Sequence, residues 1–181
     1  MREVKRMKTE FPKRKNLRLR DFDYSTPGAY FITICTFNRE KTLSDIVGAI
    51  HESPVSKLTE CGKIVEQIIR ELPTSLGVIV DRYVIMPNHI HLILCVVPNE
   101  HKYARSKDGR PIISKAVGYI KMNATKAIRN KHGLADVWQR GFHDHIIRDR
   151  DDYANIAEYI DENVLKWHLD SLNPEAISND E

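Results

Sequence analysis

The sequence predicts an α+β fold, an antiparallel sheet of the ferredoxin-like plan with helices on one face and a further C-terminal helix. Three observations predict it. Two apolar, β-branched runs stand back to back across a Pro87-Asn88 turn. Two stretches with helical apolar spacing each lie between strands. The resulting order of strand, helix, strand, strand, helix, strand, helix is a split βαβ pair with an extra helix.

Each element has its own signal. Pro27-Gly28 marks a turn, and residues 29–37 (AYFITICTF) are aromatic and β-branched, hence a strand. Residues 38–56 are mixed, with Ser53-Pro54 as a breaker. Residues 59–72 place Ile64, Ile68, Ile69 and Leu72 on one helical face, and Pro73 stops that helix. Residues 78–86 and 89–97 are the paired central strands. Residues 112–130 carry a stripe of Ile113, Ala116, Val117, Ile120, Ala124, Ala127 and Ile128, and Gly133 ends this helix. Residues 143–148 (HDHIIR) are a short strand. A last helix over 151–167 starts acidic, which suits the helix dipole, and aligns Ile156, Ile160, Val164 and Trp167. This divides the chain into an N-terminal arm (1–23), one domain (24–168) and an acidic tail (169–181).

Composition excludes several classes. No apolar run reaches the roughly 18 residues of a membrane span, and the basic N-terminus has no apolar segment behind it, so a cytoplasmic protein is expected. Cys35, Cys61 and Cys95 are an odd number without a CxxC pair, which argues for buried thiols and against a disulfide framework or a thiolate zinc site. The net charge of +3 is unevenly spread. Residues 1–20 hold nine Lys or Arg against Glu3 and Glu10, which is +7, so the rest of the chain sums to −4. A basic arm on a nearly neutral body suits a polyanion, nucleic acid first, or is a solvated tail.

Two groups of residues can carry chemistry. His89 and His91 flank Ile90 in a strand, so their imidazoles share one face and Ile90 takes the other. They are either a pair of metal ligands or two histidines on a half-exposed sheet face. Tyr159 and Asn163 are four apart and stack on one face of the last helix, at the edge of its apolar stripe. A phenol beside an amide carbonyl, facing two histidines, can be a nucleophile and a ligand. The alternative is a tyrosine that packs its ring with its hydroxyl in water.

These residues resemble a known family. Met86-Pro87-Asn88-His89-Ile90-His91-Leu92 is similar to the His-hydrophobe-His (HUH) motif of the single-tyrosine, IS200-like transposases. Residues 138–148 (WQRGFHDHIIR) resemble the stretch before the catalytic helix in their REP-associated branch, and residues 159–163 (YIDEN) its Tyr-Ile-x-x-Asn motif. The resemblance implies a transposase or nickase that cleaves and rejoins single-stranded or hairpin DNA through a 5′-phosphotyrosine link. It implies Tyr159 as the nucleophile, and His89, His91 and Asn163 as ligands of a divalent metal. Two imidazoles and an amide with open positions suit Mg²⁺ or Mn²⁺ better than a closed zinc site. The branch usually has Pro after that Asn. Here Val164 follows, which lets the helix continue to Trp167. The branch also favours a site completed within one chain, although dimers exist in the family.

Around this core, Lys115, Lys121, Lys126, Arg129, Arg140 and Arg148 are candidate contacts to DNA phosphates. His145 is a candidate for support of the site, and Tyr119 is the rival tyrosine. Two other functions compete. One is a DNA-binding protein without catalysis. The other is a zinc hydrolase using His89, His91 and either His143 or His145.

Overall fold

In the computed structural model the described residues are 23–48, 53–98 and 110–176. The basic arm, apart from Asp23, and the end of the tail beyond 176 lie outside them. In chain order the elements are β1 (Gly28–Cys35), β2 (Ser44–Val47), β3 (Val55–Leu58), α1 (Glu60–Arg70), β4 (Val78–Ile85), β5 (His89–Val96), α2 (Ile112–His132), β6 (His143–Ile147) and α3 (Arg150–Glu162). The main sheet runs β4-β5-β1-β6 with every neighbouring pair antiparallel. This is the ferredoxin-like order expected from the strand and helix sequence. Among the described residues no helix is long and apolar enough to cross a membrane.

Alternation along β1 and β5 divides the sheet into two faces. Tyr30, Ile32, Ile34, Ile90, Leu92 and Leu94 turn to one face, where α1 and α2 cover them with Val65, Ile69, Ile113, Val117, Ile120 and Ala124. Phe31, Ile93 and Cys95 turn to the other, where α3 lays Ala157 and Ile160 against them. Burying both faces explains why β5 is apolar almost throughout. Cys35 and Cys61 are buried and Cys95 is half-buried, all three as free thiols.

The ends of the helices follow their sequence signals. The Thr59 hydroxyl accepts from the Gly62 amide at 3.1 Å to cap α1. Gly133 closes α2 in the left-handed region, at φ 72°. Asp149 caps α3 by accepting from the Asp152 amide at 2.9 Å. Asp151 and Asp152 complement the dipole of its first turn.

The structure departs from expectation in two places. Residues 38–56, read as mixed, contain β2 and the start of β3, which runs on to Leu58; the two four-residue strands pair Ser44 with Leu58 through Val47 with Val55. And α3 ends at Glu162 rather than running to Trp167. From Asn163 the backbone tightens: its amide reaches back three residues to Ile160, and Trp167 and Leu169 do the same to Val164 and Lys166. A Val at 164 permits a continuous helix but does not enforce one. The tightened turns fold the chain back towards β5, so Trp167 leaves the apolar stripe of α3 and lies tilted against His89, with ring centroids 6.1 Å apart.

Candidate metal and nucleophile site

The start of β5 is built around Asn88. Its amide nitrogen donates to the carbonyls of Leu172 (2.7 Å) and Arg39 (3.3 Å). Two carbonyls on the nitrogen fix the orientation of the amide, so its oxygen faces His89 Nδ1 at 2.8 Å. An amide oxygen only accepts, so Nδ1 carries the proton and His89 Nε2 is left as a bare lone pair. That lone pair is buried without a hydrogen-bond partner. The Arg39 carbonyl is presented from a turn in which Asn38 and Arg39 both have positive φ, 50° and 56°. This is a cost that non-glycine residues bear at few places outside functional sites.

His91 lies beside His89, with ring centroids 4.4 Å apart. Its Nδ1 is 2.8 Å from the Thr33 hydroxyl, and its Nε2 is 3.3 Å from the Tyr159 hydroxyl. Phe31 stacks on the His91 ring at 5.0 Å and meets the Tyr159 ring edge-on at 6.0 Å. Both imidazoles are almost fully buried. Burial holds both far below the ordinary imidazole range, at about 3, with Arg39 adding to the effect at His89 and His89 at His91. They are therefore neutral and able to ligate at any physiological pH. Burial and the nearby Asp170 charge raise the Tyr159 phenol above its usual value, while a hydrogen bond from Asn163 works the other way.

The donors around this pair decide whether a cation fits. Asn163 is buried, and its Oδ1 has no hydrogen-bond partner. Asp170, also buried, places Oδ2 3.7 Å from His89 Nε2 and 3.4 Å from Asn163 Nδ2. Ligand atoms of His89, His91 and Asp170 all lie within 4.8 Å of one another, the one such trio of His, Cys or acidic groups among the described residues. Two imidazole nitrogens, a carboxylate and an orphaned amide oxygen are a fitting donor set for a divalent cation. Sequence reading missed Asp170, which falls in the segment taken as a polar tail. Its only signal there was an acidic residue shortly beyond Asn163.

The remaining candidates spread over the molecule. Lys121, Lys126, Arg129 and Arg140 line a groove of about 750 Å³ between α2 and residues 135–141. This groove lies on the sheet face opposite the histidines. Within it, Lys121 donates to the carbonyls of Gln139 (2.6 Å) and Gly141 (2.8 Å), and burial lowers its pKa. Arg129 donates to the Ala135 carbonyl at 3.2 Å. Lys115 is nearer the start of α2, and Arg148 sits at the entry to α3. His145 pairs with Asp152 at 2.9 Å, two turns from Tyr159, and so holds the start of α3 rather than touching the site. His143 and His145 are not in the histidine–aspartate cluster. Tyr119 belongs to α2, across the sheet from His89 and His91.

Known proteins resemble this chain in sequence and in fold. The family model described as "Transposase IS200 like" matches residues 28–163. A Haemophilus influenzae protein described as uncharacterized is 32% identical over 171 residues, covering 88% of this chain and 92% of that protein. A putative REP-associated tyrosine transposase of the same organism is 27% identical over 155 residues, covering 80% of this chain and 74% of its own length. In fold, the chain is similar to a solved REP-associated tyrosine transposase bound to a REP hairpin, with a TM-score of 0.55 and 22% identity over 78% of this chain and 68% of that one. The histidine pair on β5, the tyrosine on α3 and the family match over residues 28–163 lead to one identification: the chain belongs to the IS200-like transposase family.

Proposed function

We propose that this protein is a metal-dependent, cytoplasmic transposase or nickase that breaks and rejoins single-stranded DNA, with Tyr159 as its nucleophile. The observation that carries this reading is the Tyr159 hydroxyl 3.3 Å from His91 Nε2, beside the unpaired lone pair of His89. His89, His91 and Asp170, with Asn163, would hold a divalent cation. When bound, such an ion offsets the charge of the phosphodiester and orients it for in-line attack. Two imidazoles among the ligands favour Mn²⁺ over Mg²⁺, which prefers oxygen.

The chain's own groups supply the rest. Asn88 and Thr33 fix the two imidazole rings, as outer partners of a metal site do. Phe31 sets the ring of Tyr159 edge-on, leaving the phenol 43% exposed and open to DNA. The phenol oxygen forms a bond to phosphorus as the bond to the 3′ oxygen breaks, and the phenol proton passes through water at the mouth of the site to the leaving 3′ oxygen. The product is a 5′-phosphotyrosine with a free 3′-hydroxyl, whose return attack on phosphorus rejoins strands without an energy source. All the named groups come from one chain, which supports a site completed without a second copy. The α2 groove and Arg148 would hold the phosphates of a hairpin or its flank, as electrostatic contacts that fix register.

The test is a labelled single-stranded hairpin incubated with Mn²⁺. A covalent protein–DNA adduct is expected. EDTA and Tyr159→Phe should abolish it, and Tyr119→Phe should leave it unchanged. Salt-sensitive binding with no adduct under any metal would instead show a DNA-binding protein without catalysis. Purification with stoichiometric, tightly held zinc would favour a hydrolase.

A further inference from the structure

We infer that a bulge in β4 aligns the nucleophile: Asp81 and Arg82 are positioning residues that hold α3 where its Tyr159 meets His91. This rests on the reading of Tyr159 given above. The β4–β5 register pairs Val80 with Leu94 and then Arg82 with Ile93, so Asp81 is an extra residue in the ladder. In an unbroken strand, Asp81 and Arg82 would point to opposite faces. The bulge instead lets both reach the same helix, the re-aiming that bulges perform beside functional sites. Asp81 accepts a hydrogen bond from the Tyr153 hydroxyl, and Arg82 donates to Asp161 at 2.6 Å.

The helix needs such anchors. Only Ile93, Ala157 and Ile160 are fully buried where α3 meets the sheet. Apolar contact, here with Phe31, Val84, Tyr153 and Ile156 packed around those three, is non-directional and does not by itself set the rotation or register of the helix. Tyr153 and Asp161 are eight residues apart, about 12 Å along the axis, and they bracket Tyr159 in sequence. Two anchors about 12 Å apart on the helix, both reached from adjacent residues of one strand, fix both rotation and translation. The His145–Asp152 pair adds a third point, on the opposite edge strand. Exposed ion pairs of this kind contribute little to stability, so their effect falls on placement.

The experiment compares Arg82→Ala, Asp81→Ala and the charge swap Arg82→Asp with Asp161→Arg. Single-turnover adduct formation is measured at saturating hairpin DNA with Mn²⁺, alongside DNA affinity and thermal midpoint. Each single variant should slow cleavage roughly ten- to a hundredfold, with DNA affinity within about twofold of wild type. The swap should regain most of the rate, which a loss of general stability could not explain. Placement is also read without activity, from the nuclear Overhauser contact between the Tyr159 and Phe31 rings, which should weaken in both single variants. Unchanged rates and an unchanged ring contact would overturn the inference, as would a swap that recovers nothing. Wild-type protein that forms no adduct would refute the cleavage reading instead, and the ring contact would still decide the positioning role.

Discussion

At the residue scale, the most informative side chain in the site is one that does no chemistry. Asn88 has its amide nitrogen committed to two carbonyls, and so dictates which nitrogen of His89 is bare. Replacing Asn88 with Ala would remove the acceptor on His89 Nδ1 along with both carbonyl bonds, and free the ring. Mn²⁺ affinity should fall by roughly 10–100-fold, as measured by calorimetric titration, and Asp170→Asn should weaken it by a similar factor. Unchanged affinity in Asp170→Asn would remove the carboxylate from the ligand set. The buried imidazoles also make a prediction about pH. Each titrates near 6.5 when unfolded and at about 3 in the fold. The unfolded chain therefore binds more protons between those values, and stability falls as the pH is lowered through that window. Urea midpoints of the metal-free protein should drop between pH 6.5 and 5, where carboxylates are still charged, and His91→Asn should flatten the slope. A midpoint constant over that range would contradict the burial of neutral rings.

At the element scale, legibility followed length and period. The long strands and helices announced themselves because eight or more residues of alternating or helical spacing are hard to mistake. The β2–β3 hairpin did not. Four residues are too few to establish a period, and although burial alternates along both strands, Val47 and Val55 fall on the exposed side, so apolar identity does not follow it. Its place is fixed by close packing with α1: a Cβ at Gly62 would lie 2.0 Å from the Leu43 carbonyl oxygen. Gly62→Ala should therefore cost about 1–3 kcal/mol, seen as a thermal midpoint several degrees lower, with the metal site unaltered. A wild-type midpoint would mean that the α1 entry is looser than it stands here. The end of α3 was illegible for a different reason. Local propensity allows the helix to continue past Asn163, and only the tertiary pull of Asp170 and Trp167 towards His89 turns it. The histidine pair, Tyr159 and Asn163 could be read from spacing and motif. Asp170 could not, because its partners are some 80 residues away on β5.

At the scale of the whole molecule, the charge that first suggested nucleic acid and the chemistry that uses it are separated. The +7 of residues 1–20 lies in the arm, and the proposed ligands and nucleophile lie in residues 21–181, which sum to −4. Residues 24–168 sum to +2 and the tail to −4, so a cation would be held by local donors rather than by net charge, and a basic arm suits non-specific hold on a phosphate backbone. Deleting residues 1–20 should weaken hairpin binding and flatten its salt dependence, while cleavage at saturating DNA persists. Loss of cleavage at saturation would place the arm in the site itself. On the proposed reading, in which one chain supplies every ligand and the tyrosine, mixing His89→Ala with Tyr159→Phe protein should not restore cleavage. Restoration would show sites shared between copies. The central claim, that Tyr159 attacks DNA beside the histidine pair, is tested most directly by peptide mapping of the adduct formed with Mn²⁺. The chain has seven tyrosines. The account requires the nucleotide on the peptide carrying Tyr159, and a nucleotide found on any other tyrosine would contradict it.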